Sequence, residues 1–407
     1  MKNYDLAING GVPVREKILP YGHHYIDEED INEVVNTLKS DWLTQGSKVA
    51  EFERKIAEIV GAKYAVAFNS GTSALHAACF AVGITKGDEV ITTPITFVAS
   101  ANCLLYRGGT PVFADIELNT YNINPDDVEK KITKKTKAII AVDFAGHPAD
   151  LDEINEIAKR RSLIVIEDAA HALGAAYKGR RIGSISDITV FSFHPVKHIT
   201  TGEGGMVVTN NEEFYEKLRL FVTHGITKEK NRLINYDGPW YYEMQELGYN
   251  YRLTDFQCAL GISQLGKLGK FLKRRREIAA HYNENLKEIE EIILPTEREN
   301  MISAWHLYII RLKLDKLNAS RREIFEALRA ENIGVQVHYI PVYWQPYYQK
   351  LGYKRGLCPN AEGYYEEAIT LPIFPAMSGN DVEDVVKAVK KVIAYYSKKG
   401  RERLNLK

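Results

Sequence analysis

The stretch YAVAFNSGTSALHAACFAV, Tyr64–Val82, decides the fold class. Tyr64–Phe68 is a short, continuous apolar run, the pattern of a strand buried on both faces. It stops at Asn69-Ser70-Gly71, and a helical pattern follows over Ser73–Val82. Strand, small-residue turn and helix in this order predict an open, largely parallel sheet covered by helices. The same unit recurs along the chain. Glu89–Thr93, Pro111–Ala114, Ala138–Phe144, Leu163–Ile166, Ile188–Phe193 and Gly205–Thr209 are further strand candidates, giving seven in all. Phe97–Tyr106 and Leu151–Arg160 are helical patterns between them.

After about residue 250 the pattern changes. Thr254–Leu286 reads as one long helix, or two joined near Gly269, with Thr254 as a candidate cap. Helices at Ser320–Glu331 and Asp381–Tyr396 and short strands at His306–Leu312 and Gly334–His338 follow. The expected division is a large α/β domain over 1–265, N-terminal segment included, and a small α+β domain over 266–407. The tail Lys398–Lys407 is polar.

Composition excludes several function classes. The 407 residues carry 53 Lys and Arg against 53 Asp and Glu, and 45% are hydrophobic. A disordered chain needs fewer apolar residues and more net charge. A nucleic-acid coat protein is normally basic. A membrane span needs an apolar run of about 18 residues, and the runs here are short, such as Ala138–Val142. Neither nucleic acid nor membrane is therefore an expected partner. MKNYDLAINGG at the N-terminus has charge and glycine where a signal peptide is apolar, so a cytoplasmic protein is expected. Cys79, Cys103, Cys258 and Cys358 are scattered and form no CxxC; reduced, buried thiols are expected.

Three segments could carry chemistry. In Asn69–Leu75 a helix start with free N–H groups and a favourable dipole offers an anion site at Ser70, Gly71 and Thr72. Taken alone, an ordinary strand-to-helix turn explains it as well; it is neither a P-loop nor a GxGxxG. In Leu163–Gly174, LIVIEDAAHALG, two acids stand at a strand exit, the usual place for a site in such a sheet. By alternation Glu167 and Asp168 point to opposite faces, so one could face a ligand while the other caps the next helix. In Phe191–Gly205, FSFHPVKHITTGEGG, Lys197 lies in a strand-exit loop among small and polar residues. His194 and His198 have the spacing of a metal pair, but Pro195 disfavours the helix and the acid of HExxH is missing; no metal is expected. One chemistry unites the three. Pyridoxal 5′-phosphate needs a lysine, an acid at its pyridine nitrogen and an anion cradle, and Phe97 could stack on its ring.

These segments also carry a resemblance. NSGTSALHAA, TPITFVASAN, IEDAAHALGA, SFHPVKHITTGEGG and GYNYRLTDFQCALG are similar to the DegT/DnrJ/StrS sugar aminotransferases, over nearly the whole chain from Leu43–Gly46 to His338–Pro341. The resemblance implies a fold type I, aspartate aminotransferase-like enzyme with a mostly parallel, mixed seven-stranded sheet. It implies pyridoxal 5′-phosphate as cofactor, the pyridoxamine form as intermediate, and a homodimer with shared active sites. Lys197 then matches the Schiff-base lysine, Asp168 the pyridine-nitrogen acid, and His171 the residue near the ring hydroxyl. Phe97 matches the stacking aromatic. Ser70, Gly71, Thr72 and Ser192 match phosphate contacts, and Asn250 matches an asparagine reaching the partner's phosphate site. A dehydratase branch has histidine in place of the lysine; Lys197 therefore supports transamination. LPYGHHYIDEEDI and SDWLTQG further resemble the branch that aminates C4 of a UDP-linked 4-keto-6-deoxy-N-acetylhexosamine for pseudaminic acid synthesis. That implies an amino-acid donor, glutamate in this family, and a sugar-nucleotide acceptor. Tyr21, Trp42, Leu43, Thr44, His338 and Tyr339 become candidate substrate contacts. A 3-amino-sugar transaminase and a non-catalytic regulator that binds sugar nucleotides remain the alternatives.

Overall fold

The computed structural model of the chain describes residues 5–399; most of the tail expected to be polar lies outside them. The seven expected strands form one sheet. They are β1 (Tyr64–Phe68), β2 (Glu89–Thr92), β3 (Thr110–Phe113), β4 (Thr136–Val142), β5 (Ile164–Asp168), β6 (Ile188–Ser192) and β7 (Gly205–Thr209). Their order is β1-β7-β6-β5-β4-β2-β3. All neighbours are parallel except β7, which runs antiparallel to both β6 and β1. This is the mostly parallel, mixed sheet of fold type I.

Alternate residues of each buried strand go to opposite faces. Ile139, Ala141 and Val165 meet one helix layer, made by α1 (Ser47–Val60), α4 (Leu151–Arg161) and α5 (Asp255–Leu286). Ala138, Ile140, Ile166 and Val190 meet the other, where α2 (Gly71–Ala81) and α3 (Ala99–Tyr106) pack. Burial on both faces is why these strands read as unbroken apolar runs.

β5 continues through both acids instead of stopping at Ile166. Glu167 and Asp168 do alternate. Glu167 is buried and accepts a hydrogen bond from Thr189 Oγ1 at 2.9 Å, so it is a partner within the sheet and caps no helix.

α5 is one helix of 32 residues, unbroken at Gly269, and so about 48 Å long. Thr254 stands at its N-cap and donates to Gln257 Oε1 at 2.7 Å. Leu265, Leu268 and Leu272 belong to the large core, while Ile278, Tyr282 and Leu286 belong to a second one. The expected boundary near residue 265 thus falls inside a helix that both cores share. The second core lies over an antiparallel sheet of Ile292–Ile293, Tyr308–Leu312 and Ala368–Leu371, with helices Arg321–Ala330 and Gly379–Tyr396.

Two expectations change here. Leu6 and Leu19 pack into this second core and not with the large sheet. Gly334–His338 is not a strand, because its start and its middle take different partners. Gly334 N–H donates to Leu19 O at 2.7 Å, whereas Gln336 pairs with Thr370. A Cβ on Gly334 would stand 2.5 Å from the Leu19 carbonyl oxygen, so this close approach requires glycine. The four cysteines are buried and unpaired. Among the described residues, no helix is long and apolar enough to cross a membrane.

Candidate active site

The carboxyl ends of β1, β4, β5 and β6 converge on a cavity of about 570 Å³. Ligands bind at this edge of open α/β sheets because strand ends and helix starts leave polar backbone groups there.

The α2 start forms one part of the lining. Ser70 is its N-cap, with Ser73 N–H donating to Ser70 Oγ and Ser70 N–H to Ser73 Oγ, each at 3.1 Å. The first helical N–H groups have no partner within the helix, and Gly71 and Thr72 line the cavity. Gly205 lets this turn close against β7, since a Cβ there would stand 2.4 Å from the Ser70 carbonyl oxygen. Ser192, at the end of β6, also lines the cavity. The arrangement can hold an anion such as a phosphate.

Asp168 and Lys197 share the cavity. Asp168 accepts from Ser100 Oγ at 2.6 Å and from Ala170 N–H at 3.2 Å. Burial raises its pKa; those two hydrogen bonds and the Lys197 charge oppose the rise. Burial pushes the Lys197 amine down to about 8, with Asp168 opposing and Arg275 adding to the push. An amine near 8 is partly neutral at physiological pH, the state needed for a nucleophile or a base.

Imidazoles fill the space behind. The His171 and His306 rings lie 4.3 Å apart, and Tyr339 OH is 3.4 Å from His171 Nε2. Burial, reinforced by Lys197, holds His171 and His338 neutral, His338 at about 3. His171 Nδ1 is buried without a partner. Phe97 is 57% exposed on the cavity, with its ring 6.3 Å from that of Tyr339.

The cavity brings together eleven of the expected residues: Tyr21, Ser70, Gly71, Thr72, Phe97, Asp168, His171, Ser192, Lys197, His338 and Tyr339. Trp42, Leu43, Thr44 and Asn250 do not line it; they are exposed, and Thr44 and Asn250 make isolated bridges to Thr254 and Thr223. His194 lines the cavity while His198 is buried behind it, bonded to the Ala304 carbonyl at 3.1 Å. Sequence reasoning missed Ser100 and His306. Ser100 had a signal, standing one helical turn after Phe97. Ser100→Ala should lower kcat about tenfold, the worth of a hydrogen bond to a charged group at roughly 1.5 kcal/mol, with the melting temperature little changed. Steady-state assays and calorimetry check this.

The sequence profile of the DegT/DnrJ/EryC1/StrS aminotransferase family matches residues 24–390. The chain belongs to that family. Aminotransferases of this family use pyridoxal 5′-phosphate. This aminotransferase is similar to the spore coat polysaccharide biosynthesis protein SpsC of Bacillus subtilis, 46% identical over 94% of this chain and 99% of that one. It is 42% identical, over 90% of this chain and 96% of the other, to the UDP-4-amino-4,6-dideoxy-N-acetyl-beta-L-altrosamine transaminase of Campylobacter jejuni. Among solved structures, Helicobacter pylori PseC, an aminotransferase involved in the biosynthesis of pseudaminic acid, superposes with a TM-score of 0.88 at 36% identity. That match covers 93% of this chain and all of that one.

Proposed function

We propose that this aminotransferase moves an amino group from an amino acid, L-glutamate in our reading, to the C4 keto group of a UDP-linked 4-keto-6-deoxy-N-acetylhexosamine. The product would serve pseudaminic-acid-type amino-sugar synthesis. What carries the reading is Lys197 and Asp168 on one cavity that also holds a helix N-terminus. The relatives named for the altrosamine transaminase and for pseudaminic acid support the choice of sugar.

The residues present fit pyridoxal 5′-phosphate. A partly neutral amine, a buried carboxylate, an open aromatic face, the start of α2 and the orphaned His171 Nδ1 are the groups it would engage. Lys197 would bind it covalently and Asp168 would hold its pyridine nitrogen. Phe97 would cover the ring, and His171 would meet the ring hydroxyl. Ser70, Gly71, Thr72 and Ser192 would hold the phosphate. When bound, the cofactor supplies an electron sink and, as pyridoxamine phosphate, carries the amino group between half-reactions.

Lys197, freed from the cofactor, would carry the proton between the donor's Cα and the cofactor as base and then acid, and would do the reverse on the sugar. Asp168, as a carboxylate, would keep the cofactor's pyridine nitrogen protonated. Tyr21, His338 and Tyr339 line the cavity and are placed to contact the sugar. Trp42, Leu43, Thr44 and Asn250 fit a different place. We read them as facing the second subunit of a homodimer, with Asn250 reaching the partner's phosphate site. Trp42, Trp240 and Leu247 are 63%, 71% and 72% exposed, large apolar side chains that a second copy would cover. In the same reading the large domain binds the cofactor, and the C-terminal unit, joined by the segment around Leu6 and Leu19, closes the cavity with His306, His338 and Tyr339.

The test uses purified protein, glutamate and a panel of keto-sugar nucleotides, with NMR locating the new amine. Amination at C4 of the UDP-linked N-acetylhexosamine is expected. Amination at C3, or turnover only with a different nucleotide sugar, would overturn the substrate assignment.

A further inference from the structure

Arg275 lies within α5 and is only 1% exposed. Its Nη1 donates to the carbonyls of Trp305 at 3.2 Å, His306 at 3.2 Å and Ile373 at 2.9 Å. Its Nη2 donates to the Val196 carbonyl at 3.3 Å. The Nε is buried without a partner. Among the described residues, no carboxylate forms an ion pair with it. A buried charge normally has a counter-ion, because burial removes its water. Here the dipoles of four peptide carbonyls replace the water. One of these belongs to the residue immediately before Lys197, and the other three come from the C-terminal unit.

We propose that Arg275 is a positioning residue for Lys197: it fixes the turn that bears the amine and sets a positive charge behind it. The inference rests on Lys197 as the lysine that binds the cofactor. A cation close by disfavours a second cation at Nζ, and Arg275 does oppose protonation of Lys197. The other groups around that amine do not supply a competing positive charge. Asp168, from β5, pulls the opposite way. His171, also following β5, His198 on the lysine's own loop, and His306 and His338 from the C-terminal unit are all held neutral by burial. His194, lowered in the same way, and Glu203 line the cavity.

A clamp that only stiffens the fold would change stability and leave proton affinity alone, and that difference makes the test. Wild-type, R275Q and R275K holoenzymes are titrated with pH while the visible band of the bound cofactor is followed; thermal unfolding is measured in parallel. Glutamine keeps an N–H donor for the carbonyls and removes the charge, whereas lysine keeps the charge. The titration midpoint should rise by about one pH unit in R275Q, a tenfold change in proton affinity. R275K should stay within about 0.3 units of wild type. Both should melt below wild type, since neither spans all four carbonyls. R275Q titrating at the wild-type midpoint would overturn the proposal. Should R275Q not be recovered folded, the neutral R275M decides, since an apolar side chain of similar length can replace a buried charge without loss of folding: a midpoint raised by about one pH unit supports the proposal, and an unmoved one refutes it. A wild-type protein with no visible band would refute the Lys197 assignment itself, and this proposal with it.

Discussion

Lys197→Ala should abolish turnover and the visible absorbance of the bound cofactor, and at the same time stabilise the cofactor-free chain. On the role proposed for Lys197, the variant loses both the covalent attachment and the proton carrier. A general acid–base group alone is worth about 10²–10⁴-fold, so a drop of at least about 10³-fold is expected, roughly 4 kcal/mol. The gain in stability follows from the depressed amine. Its pKa falls from 10.5 to about 8 on folding, chiefly through burial, so the protonated lysine opposes folding by up to about 3 kcal/mol. Cavity water and the loss of the Asp168 partner reduce the net gain to about 1–2 kcal/mol. The pH dependence has a definite sign. Between about pH 8 and 10.5 the unfolded chain binds more protons at this group than the folded one, so its contribution to stability rises with pH. The advantage of the alanine variant is therefore largest below pH 8 and shrinks as pH climbs toward 10.5. Melting curves of the two cofactor-free proteins at pH 7 and 9.5 measure it. A variant that keeps turnover would sink the assignment of Lys197.

Asp168→Asn should cost at least tenfold in kcat, about 1.4 kcal/mol or more, while leaving the cofactor bound and coloured. Asparagine has nearly the same shape but cannot be an anion, so it cannot hold a proton on the facing nitrogen. Ser100, which now donates to a carboxylate oxygen at 2.6 Å, would meet a neutral amide. Folding should survive, because a neutral side chain replaces one whose charged form is disfavoured by burial. Retained colour separates this variant from the lysine one, and an unchanged kcat would count against the role given to Asp168.

The parts of the molecule legible in the sequence are those where local composition and final environment agree. β1 and α2 are both covered by other layers, so strand and helix show as apolar runs around a small-residue turn. Asp168 and Ser192 close such strands, and Lys197 follows the second, which places all three at one edge of the sheet. Arg275 was not legible. It stands in the run Lys273-Arg274-Arg275-Arg276, which reads as a solvated charged face; only the packing of the second unit on α5 buries one arginine of the run. Gly334–His338 has the composition of a strand, but different long-range partners at Gly334 and Gln336 pull it away from one ladder. Trp42, Leu43, Thr44 and Asn250 illustrate a different limit: a motif marks residues that act together without saying whether one chain brings them together.

The continuity of α5 has a mechanical consequence. A rod of some 48 Å carries leucines of one core at 265–272 and apolar residues of the other at 278–286, with no proline or break between. The two units are therefore mounted on a common axle, and swinging one against the other would mean bending it.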